Sequence, residues 1–363
     1  MMHASADSVR RQIEAVLRGW GCPAHLAETT AEVMVETDLM GVDSHGISML
    51  MMYEEMHRLG QLRIAGEPFL RRDFAATAMV DGADGLGHPA AVMAMKLAIE
   101  KARAFGVGAV GVVNSHHFGA AGYYARIAAA AGLIGIVTSS TRGVIMVPPR
   151  AAEPVLGTNP IAIAAPVPGQ PPMVLDMATT TVAGNKVKVH HLKGKDLPPG
   201  WVVDGAGRPV TDHAAAMEFV FSRKEGGITP LGGPEETGGH KGYGLALMVH
   251  VLAGTLVGAS FSPIRNRTQP PDAPNNIGHL MLALDPRAFR DREGFDADIA
   301  AVVEVLRGTA PADPARPVLI PGDPEEESRA ERLRAGIPIP ESLERHLREI
   351  AARAGAEFLL APA

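Results

Sequence analysis

Ala109-Val110-Gly111-Val112-Val113, then Asn114-Ser115-His116-His117-Phe118, then Gly119 through Ala131, then Leu133 to Thr138 follow one another without a break, and this stretch decides the fold. The first and last runs are apolar and strand-length, while the alanine-rich segment between them has helical composition and length. A strand, a helix and a strand in that order imply parallel strands with the helix packed on their sheet. The pattern continues on both sides. Upstream, Thr77 to Val80 reads as a strand, Asp81 to His88 as a glycine-rich turn and Pro89 to Ala104 as a helix. Downstream, Ile161 to Pro166 and Met173 to Leu175 read as strands joined by the proline-rich hairpin loop 166–172.

The two ends of the chain read differently. Ile13, Val16, Leu17 and Trp20 keep one helical face apolar, Pro23 opens a second helix running to about Leu39, and a third runs near Gly46 to Leu59. The first 70 residues are thus expected to be helical. Asp296 to Arg307 and Glu325 to Ala354 return to helix, whereas Pro263 to Asn276, with four prolines, reads as a long surface loop. The expected class is mixed α/β (α+β): a central mixed sheet with helices, plus an α-helical unit built from both chain ends. Residues 1–75 are expected to pack with 310–363, leaving 76–309 as the central α/β region.

Composition removes several kinds of function. The 363 residues carry 34 Lys+Arg against 40 Asp+Glu, a net charge of −6, with no basic cluster. Neutralising phosphates along a duplex requires a basic face, so no nucleic-acid partner is expected. The single cysteine, Cys22, forms no internal disulfide and removes every multi-cysteine metal site. No H-E-x-x-H is present, and the pairs His116-His117 and His190-His191 are adjacent residues that rarely aim at one ion, so no metal is expected. Leu245 to Phe261, the longest apolar stretch, is interrupted by His250 and two glycines and reads as a buried helix, not a membrane span. With no secretory pattern at Met1 to Asp7, the expectation is a soluble cytoplasmic protein without a membrane partner.

Three glycine-flanked turns could carry chemistry. Asn114-Ser115-His116-His117-Phe118-Gly119 lies at the C-terminal end of a strand, where α/β sheets dock ligands, and an imidazole there can move a proton near neutral pH. One of its histidines could instead cap the helix or bind a backbone carbonyl. Asp43-Ser44-His45-Gly46 packs an acid, a hydroxyl and an imidazole into one turn, though Asp43 or Ser44 could serve as a helix N-cap. Gly238-Gly239-His240-Lys241-Gly242 permits close backbone approach, and Lys241 could meet a carboxylate or phosphate at the start of the following helix. Thr138 to Arg142 and Leu175 to Thr181 add polar residues after two strands. The G-x-G-x-x-G at Gly106 to Gly111 is a decoy. A dinucleotide fingerprint follows a strand and opens a helix, whereas here a helix precedes and a strand follows, so Gly106 is expected to be a helix C-cap.

At these segments the sequence resembles the malate/L-lactate dehydrogenase family, a non-Rossmann group that includes ureidoglycolate, sulfolactate and diketogulonate dehydrogenases and piperideine-carboxylate reductase. The matching blocks are Gly41 to Gly46, Asn114 to Tyr124, Leu156 to Ala162, Val174 to Thr179 and His240 to Ala246, in the family's order. The resemblance implies reduction of a 2-oxo acid or cyclic imino acid with NAD or NADP, or the reverse oxidation, at a non-Rossmann dinucleotide site in the region 76–309, by a homodimer. By the same resemblance His117 and His45 are the candidates for proton transfer, and Ser44, Asn114 and Arg142 for substrate binding. Ser140, Asp176, Met177, Ala178, Lys241, Gly242, Gly322 and Asp323 fall at cofactor positions. One departure stands out: several members carry Arg where this chain has Met49, so a substrate carboxylate must find another partner, such as Arg142 or backbone N–H groups. A cofactor-free lyase or epimerase, using the same histidines beside a carboxylate, is the competing reading, and a non-catalytic binding protein a third.

Overall fold

The computed structural model describes residues 2–363. The chain forms two compact units, one comprising the residues through Val137 with Ala162–Leu175 and Met281–Ala363, the other Thr138–Ile161 and Asp176–Leu280. These boundaries are not those drawn on the sequence: 76–137, 162–175 and 281–309 group with the chain ends.

In the first unit, β1 (Met2–Ala4) leads into α1 (Ala6–Gly19), α2 (Ala24–Leu39) and α3 (Leu50–Arg58). The Ser5 hydroxyl caps α1 by accepting from the Ser8 N–H at 3.2 Å, which satisfies an orphan donor of the first turn. The periodic face Val9, Ile13, Val16 and Leu17 is fully buried, and it shares one core with Ile337, Leu347 and Ile350 from the other end of the chain. Each such side chain contributes about 1.5–3 kcal/mol on burial.

The sheet has seven strands: β2 (Phe69–Phe74), β3 (Thr77–Asp81), β4 (Val107–Ser115), β5 (Ile134–Ser139), β6 (Ile161–Ala165), β7 (Met173–Met177) and, after two short strands of the second unit, β10 (Ile277–Leu284). Their order is β2-β3-β4-β10-β5-β6-β7. β3 and β4 are parallel, pairing Thr77 with Ala109 and Asp81 with Val113, while β2 is antiparallel to β3. The sheet is therefore mixed, as expected. Its helices α4 (Gly87–Phe105) and α5 (Ala121–Ala130) bury alanine faces, and glycines in the strands let them come close. A Cβ on Gly108 would lie 2.0 Å from the Ala98 carbonyl oxygen, and one on Gly135 2.6 Å from that of Ala125. Gly106, with φ 81°, is the left-handed C-cap of α4, so this glycine closes a helix as expected.

Four readings of the elements need correction. Phe69–Phe74 is a strand within a region read as helical; all six residues are exposed, so it shows no alternation. Residues 325–354 are not one helix: α11 (Asp323–Ala335) stops at Gly336 (φ 88°), β11 (Ile337–Ile339) pairs antiparallel with β1, and Pro340 precedes α12 (Glu341–Arg353). α10 (Arg292–Arg307) completes this unit.

The second unit holds α6 (Gly184–Leu192), α7 (His213–Phe221), α8 (Gly239–His250), α9 (Ser262–Thr268) and the paired strands β8 (Val202–Val203) and β9 (Gly227–Ile228). The third and fourth corrections lie here. α9 occupies part of the segment read as loop, because Pro263 falls in the first turn, where its missing N–H costs nothing. Nor is 245–261 a buried helix throughout. α8 runs into a π-turn at Val251–Thr255, and Met248 and Leu256 are 51% and 65% exposed while Ala246, Val249 and Ala253 are buried. No helix among the described residues is long and apolar enough to cross a membrane.

Candidate active site

Two adjacent parallel strands, β3 and β4, end in interlocked turns. Gly82 N–H donates to Val113 O at 2.8 Å and Asp84 N–H to Asn114 O at 2.8 Å. The Asp81 carboxylate accepts from Ala83 N–H and from Asn114 Nδ2, both at 2.9 Å. Asn114 itself has φ 51°, a left-handed angle that asparagine tolerates, and it bends the chain off the sheet. Beyond it the two histidines part: His116 is fully buried, while His117 is only half-buried. α4 begins directly beneath this segment, since a Cβ on Gly87 would lie 2.3 Å from His116 O and 2.8 Å from His117 O.

His45 comes from the loop between α2 and α3. The N-cap roles considered for Asp43 and Ser44 are not what the structure shows. Asp43 pairs with Arg332 of α11, and the Ser44 hydroxyl lies 2.7 Å from His45 Nδ1. The orphan N–H of Ile47 goes instead to the Asp38 carboxylate, from near the end of α2, at 2.8 Å. Asp38 fills the space beneath the loop so closely that a Cβ on Gly46 would sit 1.8 Å from its Oδ1. Burial pushes the Asp38 carboxyl up to about 8, against the opposing pull of the Ile47 hydrogen bond.

The two loops meet. The His45 and His117 rings stack with centroids 5.3 Å apart and planes at 30°. Tyr53, fully buried on α3, joins them from below, its hydroxyl 2.8 Å from His117 Nδ1 and 3.4 Å from Nε2 of His88 on α4. Desolvation lowers the His45 pKa from the ordinary imidazole value and raises that of Tyr53 far above the ordinary phenol value. Tyr53 and Asp38 were not singled out from sequence: one is an apolar-helix tyrosine, the other the penultimate residue of α2, and neither lies in a glycine-rich turn.

The remaining candidates lie in two places. Gly322 and Asp323, in the first unit, open α11. Gly322 has φ 103°, and Asp323 accepts from Arg307 at 2.6 Å and from Ile320 N–H at 3.0 Å, the arginine holding its carboxyl below the usual range. In the second unit the Ser140 hydroxyl accepts from Gly278 N–H at 2.9 Å. Asp176 is exposed, and Met177 and Ala178 are half-buried. Lys241 is exposed in the first turn of α8 and makes no ion pair among the described residues. A Cβ on Gly242 would meet Leu231 O at 2.2 Å, so that glycine is required by its own loop. Arg142 is exposed, and its charge helps to lower the pKa of Arg265, after burial. Among the described residues no three His, Cys, Asp or Glu side chains are grouped to hold a metal.

Residues 4–348 match the family described as malate/L-lactate dehydrogenase. A malate dehydrogenase of Pyrococcus horikoshii is 38% identical over 348 residues, which is 96% of this chain and 94% of that one. Among solved structures, the malate dehydrogenase of Entamoeba histolytica superposes with a TM-score of 0.92 at 29% identity, covering 98% of each chain. The delta1-piperideine-2-carboxylate reductase of Pseudomonas syringae superposes with a TM-score of 0.84 at 29% identity, over 97% of this chain and 100% of that one.

Proposed function

The chain belongs to the malate/L-lactate dehydrogenase family, and from that premise we propose that it is an NAD(P)-dependent oxidoreductase interconverting a small 2-hydroxy acid and its 2-oxo acid, or reducing a cyclic imino acid. The single observation that carries the reading is the 5.3 Å stack of His45 on His117 at the C-terminal end of β4. A bound nicotinamide would supply the hydride for C2 in the reductive direction and accept it in the other.

The chain's own residues then have a proton to manage. His117 gives it to the oxygen, or imine nitrogen, that gains charge as C2 is reduced. A positioned donor of this kind is worth about 10²–10⁴ in rate. His45, kept neutral by burial, places no second positive charge beside the His117 imidazolium and remains a hydrogen-bond partner for substrate. Ser44 orients that ring through its 2.7 Å contact to Nδ1. Asn114, braced by Asp81, is assigned to the substrate, and Arg142 takes the carboxylate role that Met49, packed against the helical core, leaves open.

NAD or NADP would be held by Ser140, Asp176, Met177, Ala178, Lys241, Gly242, Gly322 and Asp323. The fit is best supported at α8, where Lys241, without an ion pair among the described residues, stands in the first turn of a twelve-residue helix whose positive end suits a diphosphate. A homodimer is part of this reading, and exposed Met248, Val251, Leu252 and Leu256 offer apolar surface for an interface. Dependence on a nicotinamide pool suits a cytoplasmic enzyme.

The test is a screen of 2-oxo and cyclic imino acids with NADH and NADPH, followed by nicotinamide absorbance. Turnover of at least one acid is expected. Proton exchange at C2 without any cofactor, and no quenching of nicotinamide fluorescence on mixing, would instead identify a lyase or epimerase.

A further inference from the structure

His117 has two ring nitrogens, and the structure treats them differently. Nδ1 faces inward. It receives the Gly119 N–H at 3.4 Å and lies 2.8 Å from the Tyr53 hydroxyl. An amide can only donate, so Gly119 serves the ring only while Nδ1 is bare. A hydroxyl donates and accepts, so Tyr53 can serve Nδ1 with or without its proton. When Tyr53 accepts, its own hydrogen needs a new acceptor, and His88 Nε2 is 3.4 Å away. Tyr53 is fully buried and sits on the helix that follows the His45 loop.

We propose that Tyr53 is a positioning residue for proton transfer: its hydroxyl accepts from Nδ1–H of the His117 imidazolium while donating to His88, which assigns Nε2 of His117 as the atom that exchanges a proton with substrate. In reduction the imidazolium Nε2–H bond breaks, its proton goes to the substrate oxygen, and the ring is left neutral with its remaining proton on Nδ1 against Tyr53. The groups shown facing His117 are His45 by stacking, Tyr53 directly and His88 through Tyr53. Losing the Tyr53 acceptor destabilises the imidazolium and therefore lowers the pH at which His117 gives up its proton.

The inference rests on His117 as proton donor, and the experiment separates the two. Reductive kcat/KM is measured against pH for the full-length wild type, Tyr53→Phe and His117→Ala. Tyr53→Phe is expected to lose about 10-fold in kcat at pH 7.5, with KM little changed, and to regain activity as pH falls because its alkaline limb has moved to lower pH. A loss that is the same at every pH, with the limb unmoved, would overturn the role of Tyr53 even if His117→Ala is inactive. Full activity in His117→Ala would overturn the donor assignment itself. If Tyr53→Phe does not fold, ¹⁵N-histidine spectra of the wild type decide, with His117 assigned from the signals missing in His117→Ala. A slowly exchanging Nδ1 proton in the acid form is expected, and one exchanging freely with solvent would overturn the proposal.

Discussion

His45 faces His117 across 5.3 Å, and its pKa is lowered because charging it means burying a cation. His45→Ala is therefore expected to lower kcat/KM about 10-fold or more, with a circular dichroism spectrum unchanged from wild type, read in the same substrate panel. Asp38 gives a second prediction at this scale. Its folded pKa of about 8 lies above the unbound value of 3.8, so the folded chain holds a proton that the unfolded chain releases. Its contribution is fully present below about pH 4 and lost as pH rises through 8. Asp38→Asn, which can still accept from Ile47, should flatten the fall in urea-unfolding stability between those pH values; an unchanged slope would mean Asp38 is ionised in the folded chain. His45 and His117 were legible in the sequence because glycines and polar residues flank them. Asp38 and Tyr53 were not, since their partners, Ile47, His117 and His88, are brought to them only by helix packing.

At the scale of elements, what was legible followed from periodicity. α1, α2, α4, β4, α5 and β5 fall where apolar spacing put them, within a few residues. β2 escaped because an exposed edge strand carries no alternating pattern, and α11 and α12 were run together because their separation depends on a Gly336 turn and a three-residue pairing with β1. Close helix–sheet packing gives the prediction here. Gly108→Ala would press a methyl to 2.0 Å from Ala98 O and should cost about 1–3 kcal/mol. Gly244→Ala, in α8 with nothing within 4 Å, should instead be neutral or stabilising by up to about 1 kcal/mol. Denaturant midpoints of the two variants test the contrast, and equal effects would show that α4 can move off β4.

Over the whole molecule, the histidine pair, Ser44, Asn114, Gly322 and Asp323 belong to one compact unit, and Ser140, Asp176, Met177, Ala178, Arg142, Lys241 and Gly242 to the other. No local pattern announces that division, because the chain crosses between units four times, each time within a strand. The family blocks were legible as an ordered set, whereas their grouping in space was not. Lys241 tests the cofactor assignment at this scale. Lys241→Ala is expected to raise KM for the nicotinamide about 10-fold with kcat little changed, the loss of one charge-assisted contact; an unchanged KM would move the phosphate contact elsewhere. The central claim is that His117 moves the proton, and reductive kcat/KM of folded His117→Ala, in the best substrate and cofactor found by the screen, tests it most directly. A fall of about 10²–10⁴ is predicted, and turnover equal to wild type would contradict it.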